Sequence, residues 1–119
     1  MYTSSTIALA AIELFVHIDP AEIPEDFVAT PADIPSAVAI ARVTAAQLPA
    51  DWRQYPAPGS LADIGSRWTR QGKMAVLAVP SALVPQELNY LINPLHPAFK
   101  QIRIGKPEPF RLDPRMFKQ

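Results

Sequence analysis

The sequence contains no cysteine, which excludes a disulfide framework, a thiolate zinc site and a cysteine nucleophile. It carries no excess charge of either sign: 11 Lys and Arg balance 11 Asp and Glu, so no overall field gathers nucleic acid or anionic lipid. Glycine is scarce, 4 residues with none grouped, and a glycine-rich phosphate loop is therefore missing. No stretch approaches the roughly 18 consecutive apolar residues of a membrane span, and no basic segment precedes the first apolar run as in a signal peptide. The 2 histidines and the acidic residues show no ligand spacing, so no metal site is expected. The expectation is a cytoplasmic chain that touches neither nucleic acid nor membrane directly. Its 119 residues suit a single domain with one modest core.

Proline is what the sequence has in excess, 14 of 119 residues, about twice the usual share of roughly 5%. Because proline is tolerated only in the first turn of a helix, helices are confined to the proline-free windows 1–19, 36–48 and 59–79. In the first window nine of the ten residues from Ile7 to Val16 are apolar, and the hydroxyls of Thr3, Ser4 and Ser5 precede them. Such hydroxyls cap helix starts, and apolar residues on every side predict a largely buried helix that ends near His17. Asp26 to Ile34 predicts a short edge strand bent or broken by Pro31. Ala37 to Gln47 admits either a helix or, from its Val, Ile and Thr content, a strand. Ser60-Leu61-Ala62-Asp63 reads as an abbreviated capping box opening a helix that Gly72 stops, with Leu61, Ile64 and Trp68 on one face. Met74 to Val79 predicts a buried strand that delivers Ser81 at its tip. A further strand is expected from Phe99 to Ile104, and Phe110, Leu112 and Phe117 predict a tail that packs down. The whole reads as α+β, with short mixed strands and a buried N-terminal helix.

Few residues in this pattern invite chemistry. Glu13 stands alone as a carboxylate in an apolar helix, where burial is costly without a partner or a purpose. His17, four residues on, lies on the same helical face and can pair with it. Ser81 follows a strand and a proline, a usual place for a turn serine. The segment from Glu87 to Pro97 is rich in amide and imidazole groups, among them Asn89, Asn93 and His96. Asn93 before a proline reads as a turn, and His96 as a residue that bonds a nearby backbone group. A hydrolase triad of Ser81 with a histidine and an aspartate lacks the nucleophile elbow that such a serine needs.

Taken in order, several stretches resemble one family, the RES domain, the toxin half of a bacterial toxin-antitoxin pair. They are Tyr2-Thr3-Ser4-Ser5, Ala8-Leu9-Ala10 with Glu13, and Val16-His17-Ile18-Asp19. Leu48-Pro49 with Asp51-Trp52, Ile64-Gly65 with Trp68, and Val79-Pro80-Ser81 follow. Glu87 with Asn89 to Pro94 and His96-Pro97, then Phe110 with Asp113, Arg115 and Phe117, complete the likeness from Tyr2 to Phe117. The resemblance implies an ADP-ribosyltransferase-like fold and cleavage of the nicotinamide–ribose bond of NAD, with phosphate, water or a protein as acceptor of ADP-ribose. NAD is then a substrate, phosphate an optional co-substrate, and no resident cofactor is implied.

By the same resemblance Glu13 and Ser81 are the catalytic residues, corresponding to two of the three residues that give the family its letters. Tyr2 corresponds to an associated tyrosine that can stack on nicotinamide, and Asn89, Asn93 and His96 are implied around the NAD pocket. The family's arginine-bearing first motif would lie N-terminal to Tyr2, so residues 1–119 are expected to be one RES-like domain truncated at its N-terminus. An Xre-type DNA-binding antitoxin is the implied partner, and an unpaired sheet edge favours a homodimer. A noncatalytic domain that only binds the antitoxin is the alternative expectation.

Overall fold

The structure, a computed structural model, describes residues 1–19 and 21–117. In chain order its elements are β1 (Tyr2–Ser4), α1 (Ile7–Phe15), β2 (Val28–Ala29), β3 (Ala32–Asp33), β4 (Ile40–Arg42), α2 (Gly59–Gln71), β5 (Val76–Pro80), β6 (Leu88–Ile92), β7 (Arg103–Ile104) and β8 (Glu108–Pro109). One four-stranded sheet, ordered β1-β6-β5-β4, organises them, and the α+β class expected from the sequence holds. β4 and β5 run parallel, with α2 in the crossover that such a pair needs, and the other pairs are antiparallel. Two ribbons, β2 with β8 and β3 with β7, tie the middle of the chain to its tail.

The apolar run of β5 is the centre of the core: Ala75, Val76, Leu77 and Ala78 are all buried. Strand alternation splits them between the two faces of the sheet. Val76 and its cross-strand partner Ile92 share a cluster with Val38, Ala75 and Ile102, onto which Phe99 and Ala98 pack. The other face carries Leu77, Val79, Asn89 and Leu91, and belongs to α1.

Several local expectations give way to tertiary context. Among the described residues α1 buries only Leu9 fully, while Ile7, Ile12 and the C-cap Val16 stay exposed, so the helix is far less buried than its apolar composition predicts. Its cap is Thr6, whose hydroxyl accepts the Leu9 amide at 3.1 Å, since Thr3 and Ser4 are drawn into β1. The helix ends at Phe15, two residues short of His17. α2 begins at Gly59 behind Pro58 with no side-chain cap, so the Ser60 to Asp63 box is not formed. Proline fixes the entry there instead. Gly72 does stop α2, at φ 60° with its amide donating to the Trp68 carbonyl. Residues 37–47 resolve into β4 and a 3-10 turn over Ala45–Gln47. Phe99 to Ile104 forms a strand only at its end: Pro97–Gln101 is a 3-10 helix capped by His96, and Pro97 at its first position favours that turn. The tail packs as expected through Leu112 and through Phe117, whose ring lies 5.2 Å from that of Phe15; Lys118 and Gln119 lie outside the described residues. Among the described residues, no helix is long and apolar enough to cross a membrane.

Two glycines respond to alanine in opposite directions. The Gly105 amide donates to the Pro31 carbonyl at 2.7 Å, and a Cβ on Gly105 would stand 2.6 Å from Pro31 Cγ, part of a ring that cannot swing away. Gly105→Ala therefore costs about 1–3 kcal/mol in urea unfolding. Gly65 lies inside α2 with nothing within 4 Å of the added carbon, so Gly65→Ala stabilises by about 0.5–1 kcal/mol.

Candidate functional site

The site is written in the pleat of the sheet. Met1 and Ile92 exchange both backbone bonds, each 2.8 Å, which makes Tyr2–Leu91 and Ser4–Asn89 the non-hydrogen-bonded pairs of this ladder. In such pairs side chains approach most closely, and period-two alternation puts Tyr2, Ser4, Asn89 and Leu91 on one face. On β5, Val79 lies opposite Asn89, and continuing the alternation by two residues brings Ser81 to the same face. Leu9 and Glu13 are one turn apart on α1. Burying Leu9 against the sheet therefore turns Glu13 toward it as well.

The hydrogen bonds converge on one carboxylate oxygen. Glu13 Oε1 accepts from Ser81 Oγ at 2.8 Å and from Asn89 Nδ2 at 2.8 Å. The second proton of Asn89 Nδ2 goes to the Tyr2 hydroxyl at 2.6 Å, and Asn89 Oδ1 accepts from Ser4 Oγ at 2.9 Å. Ser81 and Asn89 are both fully buried. The Ser81 hydroxyl also accepts the amides of Leu83 and Val84, each at 3.2 Å, which fills both lone pairs while its proton goes to Glu13. An oxygen so engaged positions a carboxylate and has nothing left for nucleophilic attack, and neither histidine bonds it. Among the described residues no hydrogen bond reaches Glu13 Oε2, so one carboxylate oxygen is held by the protein and the other is not. Tyr2 presents more than half of its surface to solvent.

Of the residues expected at the site, Tyr2, Glu13, Ser81 and Asn89 are brought together. Asn93 and His96 are placed in the turn after β6. Asn93 Oδ1, on a buried side chain, accepts the Leu95 amide at 3.1 Å, and His96 Nδ1 accepts the Ala98 amide at 3.0 Å, and neither is among the residues bonded to Glu13. The Glu13–His17 pair does not form: the chain leaves the helix at Val16 and His17 is exposed, while Glu13 turns to Ser81 and Asn89. Two contributors escaped the sequence. Ser4 lies in a register that no local pattern reveals, and Arg53 crosses to donate from Nε to the Ala82 carbonyl at 2.8 Å, bracing the loop behind Ser81. Among the described residues, no group of three or more His, Asp or Glu is placed to hold a metal ion.

Burial, and after it the negative charge of Glu13, pushes the Tyr2 phenol from 10.0 up to about 12. In that window the unfolded chain has lost a proton that the folded chain keeps, so stability falls as pH rises from 10.0 toward about 12. Tyr2→Phe removes this part of the alkaline loss. Urea unfolding at a series of alkaline pH values checks it, and an equally steep decline in Tyr2→Phe contradicts it.

Comparison with known proteins identifies the family. The RES domain model matches residues 1–113. A protein named Prs ADP-ribosylating toxin from Sphingobium sp. (strain YBL2) is 37% identical over 121 aligned positions, covering 100% of this chain and 75% of the relative. Proteins named Toxin Res are 34% identical in Yersinia enterocolitica, covering 98% of this chain and 76% of the relative, and 32% identical in Pseudomonas putida, covering 98% and 79%. A family model spanning nearly all of the sequence, with relatives that share a third of its residues and are toxins by name, leaves one assignment: the chain belongs to the RES domain family.

Proposed function

We propose that this protein is a toxin that cleaves the nicotinamide–ribose bond of NAD, with Glu13 as the catalytic carboxylate. The observation that carries the reading is the asymmetry of Glu13, with Oε1 fixed by Ser81 and Asn89 and Oε2 unengaged. The ADP-ribosylating name of the Sphingobium relative supports the same chemistry, and an ADP-ribosyltransferase-like fold is part of the same proposal.

The chemistry suits a fixed anion. When the bond between C1′ of the ribose and the pyridinium nitrogen breaks, its electron pair leaves with nicotinamide and the ribose becomes an oxocarbenium-like cation. A carboxylate held in place faces that developing charge without reorganising, and its free oxygen accepts a hydrogen bond from a ribose hydroxyl. Ser81 and Asn89 hold it there. An acceptor oxygen then adds to C1′; with water or a hydroxyl the displaced proton goes to solvent, and with phosphate the product is a sugar phosphate. Tyr2, neutral at physiological pH and more than half exposed, offers an aromatic ring on which a flat leaving group can stack. The partner that keeps such an activity in check is an Xre-type antitoxin. Among the described residues β1 lies at an edge of the sheet, and edge-to-edge pairing of two copies would give a homodimer.

The test is release of nicotinamide from NAD, followed with and without phosphate. The protein releases it, and Glu13→Gln, which keeps the shape and removes the charge, lowers the rate by about a hundredfold or more. A protein that binds its antitoxin but releases no nicotinamide overturns the reading, and so does a fully active Glu13→Gln.

A further inference from the structure

The hydrogen bonds of Asn89 lead away from Glu13 to a residue with no acid–base chemistry of its own. Asn89 has no exposed surface, so each of its polar atoms must find a partner inside the protein. Its Nδ2 has two protons, and both are spent, one on Glu13 Oε1 and one on the Tyr2 hydroxyl. That end of the amide is set by charge, since the opposite orientation would turn Oδ1 against a carboxylate oxygen. The other end, Oδ1, has one protein donor, the hydroxyl of Ser4 at 2.9 Å.

Ser4 is well placed to act as a fixed point. It stands in β1 directly across from Asn89, and the neighbouring ladder bonds pin its backbone, Ser5 donating to the Leu88 carbonyl at 3.1 Å and Met1 and Ile92 closing the other end. An amide held only through Nδ2 can still swing about its side-chain torsions. A third bond from the neighbouring strand removes that freedom. Donation to Oδ1 also draws electron density from the amide nitrogen, which strengthens both hydrogen bonds that its N–H groups donate.

We infer that Ser4 is a positioning residue of the site: its hydroxyl clamps the Asn89 amide, and through that amide sets the Glu13 carboxylate and the Tyr2 phenol. The kinetic consequence rests on the NAD-cleaving reading, whereas the clamp itself does not.

Valine and threonine share one shape and differ in the hydroxyl, and both suit a strand, so Ser4→Val and Ser4→Thr form the test. The side-chain amide protons of Asn89, identified by their loss in Asn89→Asp, are followed by NMR, and nicotinamide release is followed at temperatures where circular dichroism shows each variant folded. In the wild type and Ser4→Thr the two amide protons exchange slowly, and in Ser4→Val they exchange fast. Ser4→Val lowers kcat about tenfold and leaves KM within about threefold, and Ser4→Thr restores it. Unaltered Asn89 amide protons in Ser4→Val overturn the clamp, whether or not NAD is turned over. Altered protons with kcat equal in Val and Thr overturn its role in positioning Glu13. Absence of nicotinamide release from the wild type counts against the NAD reading, and the amide protons still decide the clamp.

Discussion

Everything distinctive about this molecule depends on two hydrogen bonds, from Ser81 Oγ and Asn89 Nδ2, that meet at a single oxygen of Glu13. A carboxylate among apolar helix residues is unfavourable unless donors replace its lost water. Here those donors come from two neighbouring strands and are themselves buried and held by further bonds. The carboxylate is therefore fixed by the sheet while its own helix stays partly open to solvent. A rigid anion with one oxygen to spare suits a reaction in which positive charge develops on a sugar.

The sheet divides its labour between its two faces. One face, around Val76, Ile92, Val38 and Ile102, is apolar and supplies cohesion. The other carries Tyr2, Ser4 and Asn89 at alternate positions of β1 and β6, with Ser81 just past the end of β5, and α1 lays Glu13 across them. Both faces are set by one register. A slip of one residue between β1 and β6 would send Ser4 and Tyr2 to the apolar side and Thr3 to the site. The paired bonds between Met1 and Ile92 thus matter to the chemistry at a distance from it.

How much of this was legible in the sequence follows the range of the interactions. Apolar runs and stop signals are local, so β5, α2 with its Gly72 stop, and the isolation of Glu13 are visible in the chain itself. The family resemblance added Tyr2, Ser81 and Asn89. What stayed hidden was non-local. Glu13 has His17 one turn away in sequence, yet bonds Ser81 and Asn89, 68 and 76 residues distant. Apolar composition predicts a buried α1 and the helix buries only Leu9 fully, because composition says what a helix can bury and not what the rest of the chain brings against it. Phe99 to Ile104 looked like a strand by composition, but His96 and Pro97 impose a 3-10 turn on its first half. Asn93 and His96, polar and adjacent to the site in sequence, each accept a backbone amide of their own turn.

The central claim is that Glu13 and Ser81 act as one unit rather than as two independent contributors. A double-mutant cycle on nicotinamide release, with Glu13→Gln, Ser81→Ala and the pair, tests it most directly. The account predicts that the double variant is no slower than Glu13→Gln alone, because a serine whose task is to hold the carboxylate has nothing further to lose once its charge is gone. Losses that multiply, so that the pair is slower than Glu13→Gln by the full factor of Ser81→Ala, would contradict it.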